Sequence, residues 1–213
     1  MELLFSDLSP YGRKIRILLA ELDLAFTPNQ YDRMRPVEAI GPINPNLTIP
    51  VLVDGDETLF DSHVIAAYLL ETYGERADGR ARPPLLATPV RPEARWADET
   101  LRATLQAFSE TIIALFLYGG DLEDCGTEPA TLPYHRRQLE RIRHQLDWLD
   151  ARATREGFAP GAFCLADIEF ICAVGMVDAG AMFPWRDRAA LATLVDHFAD
   201  RPSVAATRPR PRG

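Results

Sequence analysis

Residues 44–55 read NPNLTIPVLVDG and carry the most informative local signals in the 213-residue chain. The stretch begins as a loop rich in asparagine and proline, and it becomes an apolar run after Pro50. The run ends at Asp54-Gly55, a pair that favours a β-hairpin turn. Because proline has no N–H to donate to a ladder, Pro50 fits only the first position or an edge of a strand.

The peptide bond between Ile49 and Pro50 has two alternatives. About 5–6% of X-Pro bonds in folded proteins are cis, so trans is the ordinary expectation. A cis bond would reverse the chain sharply at Pro50, and it would leave the N–H and C=O of Ile49 free to pair with a ligand. The segment after the hairpin places Asp61-Ser62 directly before an apolar helical pattern that runs to Tyr73, and it completes a resemblance to a known family that implies the cis bond.

Taken together, these residues resemble the glutathione S-transferase family. In that family an Asn-Pro pair precedes Val/Ile-Pro-Val-Leu, a hairpin follows, and a Glu/Asp-Ser pair opens a helix. The corresponding residues here are Asn44-Pro45, Ile49–Leu52 and Asp61-Ser62. The resemblance extends on both sides and covers nearly the whole chain.

The order of the predicted elements agrees with this resemblance. Residues 1–74 alternate strands and helices in the thioredoxin-like α/β pattern, and their first helix begins at Ser9-Pro10 with serine at the N-cap and proline at the first helical position. Residues 75–91 are rich in proline and arginine and predict a linker. Residues 92–213 have no strand signal and predict an all-helical domain, whose first helix is expected to end at Gly119-Gly120.

Composition excludes several classes of function. The net charge of −8 argues against nucleic acid as a partner. The longest apolar runs are too short for a membrane span, and the first residues lack the pattern of a signal peptide. The chain has three scattered cysteines, Cys125, Cys164 and Cys172, which form no metal-binding motif and fit a reducing compartment. We therefore expect a cytoplasmic protein with no metal.

The resemblance implies that Ser9 is the catalytic residue. The family activates the glutathione thiol beside its first helix, and Ser9-Pro10-Tyr11 is similar to the Ser-Pro-Phe of the classes that use serine. A hydroxyl at a helix N-terminus can stabilise a thiolate through a hydrogen bond and the helix dipole. Ser6 and Tyr11 are the competing candidates, although Tyr11 follows the proline inside the helix and fits the electrophile pocket better. The alternative role for Ser9 is a plain helix cap, which is compatible with the first because a hydroxyl both accepts and donates.

The resemblance also implies the glutathione-binding residues. Ile49, positioned by Pro50, would bind the cysteinyl backbone; Asp61 would bind the α-ammonium, and Ser62 the γ-glutamyl carboxylate at a helix N-terminus. The alternative reading of Asp61-Ser62 is an ordinary start of the helix, with Ser62 as its cap. Thr48 replaces the lysine or arginine that related classes carry there, so we expect weak glutathione affinity.

The expected function is conjugation of the glutathione thiolate to a small hydrophobic electrophile by a homodimer. The electrophile pocket is expected to include Tyr11 and residues of the first long helix, namely Phe108, Ile112, Phe116 and Tyr118. Alternatives are a glutathione-dependent dehalogenase or isomerase on the same fold, and a non-catalytic binding protein. Thr48 favours the last alternative slightly, and so does Cys164, which replaces the hydroxyl residue of the family's capping box with Asp167.

Overall fold

The structure is a computed structural model that describes residues 1–31, 40–74, 94–159 and 161–209. The chain has a thioredoxin-like N-terminal domain followed by a helical domain, as the sequence predicts. The predicted linker, residues 75–91, lies outside the described ranges, and the domain boundaries stay predictions. Within the described ranges, none of the helices is long and apolar enough to cross a membrane.

The N-terminal domain is built on a four-stranded mixed sheet. Its strands are β1 (Glu2–Phe5), β2 (Thr27–Gln30), β3 (Val51–Asp54) and β4 (Glu57–Phe60), in the order β2-β1-β3-β4. β1 is parallel to β2 and antiparallel to β3, and β3 and β4 form the predicted hairpin. Gly55 has a φ of +60° in the connecting turn, a conformation that favours glycine.

Helices complete both domains. The N-terminal domain adds α1 (Pro10–Glu21) and α2 (Ser62–Tyr73), which contact each other. In the residues that the structure describes, the helical domain contains a 3₁₀ turn at Pro129–Thr131 and five α-helices, which are α3 (Arg95–Asp124), α4 (Pro133–Asp150), α5 (Leu165–Gly180), α6 (Ala189–Phe198) and α7 (Pro202–Ala206). α1 also packs against α5 and α7, so it belongs to the cores of both domains.

α3 is longer than the sequence predicts. We expected Gly119-Gly120 to end it, but the helix continues to Asp124, and the chain turns only at Gly126, which has a φ of +69°. A glycine inside a helix costs about 1 kcal/mol relative to alanine. The prediction was wrong because this local cost is smaller than the stabilisation from burying the apolar face of α3, which includes Phe108 and Ile112.

The start of α5 is held by Asp167, which is fully buried. Its Oδ2 accepts the N–H of Cys164 at 2.9 Å, which confirms this half of the predicted capping box, and its Oδ1 accepts the N–H of Phe158 at 2.8 Å. Burial raises the pKa of Asp167. A Cβ at Gly157 would lie 2.7 Å from Oδ1, so the preceding loop requires glycine at that position.

Replacing Asp167 with alanine should lower the free energy of unfolding by about 3 kcal/mol, because the buried N–H of Cys164 and the partly buried N–H of Phe158 lose their acceptor. Urea unfolding measures the change. Asp121→Ala, at an exposed position of α3, is the control, and it should stay within about 0.5 kcal/mol of wild type. Equal effects of the two substitutions would contradict the role given to Asp167.

Candidate functional site

A cavity of about 590 Å³ opens between the N-terminal domain and α3. The five residues predicted from the sequence all line it: Ser9, Ile49, Pro50, Asp61 and Ser62. They come from three separate segments, namely the start of α1, the loop before β3 and the start of α2. The fold therefore brings the predicted residues together in one place.

Ser9 is the N-cap of α1 and is half-buried. Its Oγ accepts the N–H of Gly12 at 3.2 Å, so the capping role is present. The O–H of the same hydroxyl is a donor and can serve a ligand in the cavity. Gly12 lets the helix approach β1, because a Cβ there would lie 3.1 Å from the Cβ of Phe5.

The loop before β3 presents Ile49 to the cavity. The peptide bond between Ile49 and Pro50 is cis. Asn44 is fully buried beneath the loop; its side-chain amide donates to the carbonyl of Thr48 at 2.7 Å, and its Oδ1 accepts the N–H of Asn46 at 2.9 Å. Asn44 thus holds the backbone in place next to Ile49, a role that the sequence motif did not reveal.

The prediction that Ser62 caps α2 was wrong by one residue. Asp61 is the N-cap, and its Oδ1 accepts the N–H of His63 at 2.7 Å. Ser62 is the first helical residue and is buried. A carboxylate accepts a backbone N–H at least as well as a hydroxyl, so Asp61 takes the capping position. Its φ of +68° is strained for a residue with a Cβ, and such strain is concentrated at functional sites.

Behind the cavity, the side chains of Lys14, His63 and Glu169 connect α1, α2 and α5. Nζ of Lys14 lies 3.1 Å from Oε1 of Glu169, and both side chains are more than nine-tenths buried. His63, which lines the cavity, has Nε2 3.3 Å from Oε1 of Glu169 and Nδ1 3.4 Å from Oδ1 of Asp61. Burial alone raises the pKa of Glu169, but His63 and Lys14 outweigh it and hold that pKa below its usual range.

Sequence analysis missed this network, because the spacing of the histidines in the chain matches neither a metal motif nor a catalytic triad. A signal was nevertheless present, because Glu169 is a lone glutamate within the apolar residues 168–177 of the sequence. A carboxylate in such a position is seldom buried without a partner.

The predicted pocket residues are only partly correct. Tyr11 and Phe116 line the cavity. Phe108 and Ile112 are fully buried in the core instead, and the ring of Tyr118 packs against that of Tyr134 at 5.7 Å between centroids. The face of α3 that lines the cavity is Gln106, Glu110, Ile113, Phe116 and Leu117. The prediction chose the wrong face of the helix, because the apolar pattern marks the side of α3 that faces the core.

Comparisons with known proteins identify the family. Residues 3–77 match the family model described as glutathione S-transferase, N-terminal domain. The uncharacterised GST-like protein YibF of Escherichia coli is 30% identical over an alignment that covers 98% of each chain. This protein belongs to the glutathione S-transferase family.

Other relatives cover less of the chain. A stringent starvation protein A homologue of Coxiella burnetii is 39% identical over 95 residues, and one of Pasteurella multocida is 34% identical over 121 residues. The matches span 41% and 53% of the length of those two proteins.

Solved structures agree over nearly the full length. A glutathione S-transferase from Methylobacillus flagellatus, solved with GSH bound, is 26% identical with a TM-score of 0.79 and covers 98% of each chain. One from Methylobacterium radiotolerans, solved in complex with glutathione sulfonate, is 25% identical with the same TM-score and covers 100% of this chain and 96% of its own.

Replacing Lys14 with methionine should lower the free energy of unfolding by about 3–5 kcal/mol, because it leaves the buried Glu169 without its lysine partner. The double variant Lys14→Met/Glu169→Gln should recover most of the loss. Arg143→Met, on the exposed face of α4, is the control. Urea unfolding measures all four proteins, and an effect of Lys14→Met no larger than that of the control would contradict the pairing.

The free energy of unfolding should depend on pH through the carboxylate of Glu169 in the same network. Because the pKa of Glu169 is lower in the folded protein, its stabilisation is present above the unfolded pKa, about 4.3, and is lost as the pH falls toward the folded pKa. The stability advantage of wild type over Glu169→Gln should therefore shrink at acidic pH.

Proposed function

We propose that this protein is a glutathione transferase that adds the thiolate of glutathione to a small hydrophobic electrophile. The main support is that one cavity contains all five predicted residues, and that its other wall is the partly apolar face of α3. The five residues are Ser9, Ile49, Pro50, Asp61 and Ser62. The two relatives solved with GSH or glutathione sulfonate support glutathione as the co-substrate. A homodimer in the cytoplasm is part of the same proposal, on the family resemblance alone.

Each part of glutathione has a partner in this proposal. The exposed carboxylate of Asp61 binds the α-ammonium group, and the N-terminal end of α2 at Ser62 binds the neighbouring carboxylate. The main chain of Ile49 pairs with the cysteinyl residue. These contacts place the thiol at the N-terminus of α1, where Ser9 lies.

Ser9 stabilises the thiolate by donating its O–H to the sulfur. Lowering the thiol pKa by about two units requires about 2.7 kcal/mol. A hydrogen bond to a charged group contributes about 1.5–3 kcal/mol. The dipole of α1 adds up to about 2 kcal/mol in a partly buried site. The two contributions are together sufficient, so the mechanism requires no separate general base.

A second candidate function is that of a non-catalytic binding protein with a weakened glutathione site. Thr48 lines the cavity and is neutral, and no lysine or arginine lines the cavity among the described residues. The glycyl carboxylate of glutathione would therefore have no cationic partner from these residues. Glutathione-dependent dehalogenation or isomerisation would use the same thiolate and would be separated from conjugation by an electrophile screen.

Replacing Ser9 with alanine should lower kcat/KM for conjugation of glutathione with 1-chloro-2,4-dinitrobenzene about 10- to 100-fold, the equivalent of one hydrogen bond to the thiolate. In this reaction a C–S bond forms, chloride leaves with the electron pair of the C–Cl bond, and the thiol proton goes to solvent. Stopped assays of product absorbance measure the rate.

The controls separate the chemical role of Ser9 from its capping role. Ser9→Gly also lacks the hydroxyl but costs only a few tenths of a kcal/mol as a cap, so it should lose activity with little loss of stability. Ser6→Ala removes the competing hydroxyl and should retain activity. Full activity in Ser9→Gly would show that Ser9 is only a cap.

A further inference from the structure

The wall of the cavity formed by α3 carries a carboxylate that the proposed glutathione contacts do not use. Gln106, Glu110, Ile113 and Leu117 recur at i, i+4, i+7 and i+11 and all line the cavity. Glu110 is therefore in the middle of the face that an electrophile would contact, with apolar side chains beyond it.

Within the part of the chain that the structure describes, the carboxylate of Glu110 has no cationic partner. Its Oε1 accepts the side-chain amide of Gln106 at 2.9 Å, a neutral partner that orients the carboxylate. Among the described residues that line the cavity, the one basic side chain is His63, which lies between Asp61 and Glu169. A carboxylate in this cavity thus lacks a cation from the described part of the chain.

The electrostatic effect of this carboxylate extends across the cavity to α1. Burial raises the pKa of Tyr11, and the negative charge of Glu110, followed by that of Asp61, raises it further. The hydroxyl of Tyr11 therefore stays protonated. A positively charged group of a ligand placed beside Glu110 would be favoured by the same negative charge.

We propose that the second substrate of this protein carries a protonated amine or another cationic group, which pairs with Glu110 while its apolar part contacts Ile113 and Leu117. The proposal rests on the proposed function, since it assigns the chemical class of the electrophile that this cavity accepts. It modifies the expectation of a purely hydrophobic electrophile.

Equilibrium binding of two small probes tests the proposal without turnover. Benzylammonium and benzyl alcohol have nearly the same size and differ in charge. Calorimetry on the wild-type protein, with and without saturating glutathione, should show about tenfold tighter binding of benzylammonium, which corresponds to about 1.4 kcal/mol. Glu110→Gln should abolish this preference.

One further variant locates the effect. Glu140→Gln makes the same chemical change on the exposed face of α4, outside the cavity, and should keep the preference. The comparison in saturating glutathione is the decisive one, because the ammonium group of glutathione then occupies Asp61 in the proposed complex. Binding that is equal or undetectable for both probes would overturn the proposal, as would a preference that survives Glu110→Gln in saturating glutathione.

These outcomes are separate from those of the proposed function. A protein that prefers benzylammonium through Glu110 but conjugates no electrophile would contradict the transferase activity and support the cation site. A protein that conjugates 1-chloro-2,4-dinitrobenzene but binds both probes equally would support the transferase activity and contradict the cation site.

Discussion

The buried ion pair between Lys14 and Glu169 is the contact on which the arrangement of the site depends. Lys14 belongs to α1, whose N-terminus carries Ser9, and Glu169 belongs to α5 in the helical domain. Oppositely charged groups in a low-dielectric interior attract strongly only when their geometry is well defined, so the pair fixes how the two helices meet. His63 contacts both Glu169 and Asp61. The helical domain is thereby connected to α1, which follows Ser9, and to the start of α2 at Asp61.

Each of the two domains contributes a different kind of surface to the cavity. The N-terminal domain supplies short segments whose backbone and caps face inward: the start of α1, the loop over Asn44 and the start of α2. Such segments present free N–H groups and helix dipoles, which suit a peptide ligand with several charges. The helical domain supplies a face of α3 whose side chains can vary without changing the backbone, and in the proposed function this face selects the second substrate.

Local signals in the sequence predicted the fold, and they predicted five residues that the fold brings together around one cavity. Ser9-Pro10, Ile49-Pro50 and Asp61-Ser62 are short motifs whose backbone geometry is largely local, so their positions followed from the chain itself. Most of the α3 residues that line the cavity could not be predicted. Apolar periodicity identifies the face of the helix that packs against the core, and it does not show which neighbouring face borders the cavity. The Lys14–Glu169–His63 network joins residues up to 155 positions apart, which no local pattern encodes.

The most direct test of the central claim is calorimetric titration of the wild-type protein and Ser62→Ala with glutathione. We predict saturable one-to-one binding to wild type that is weaker than low micromolar, because Thr48 is neutral, and at least tenfold weaker binding to Ser62→Ala, because the N-terminal end of α2 loses a donor to the carboxylate. Absence of binding at several millimolar glutathione, or equal binding to the two proteins, would contradict the account.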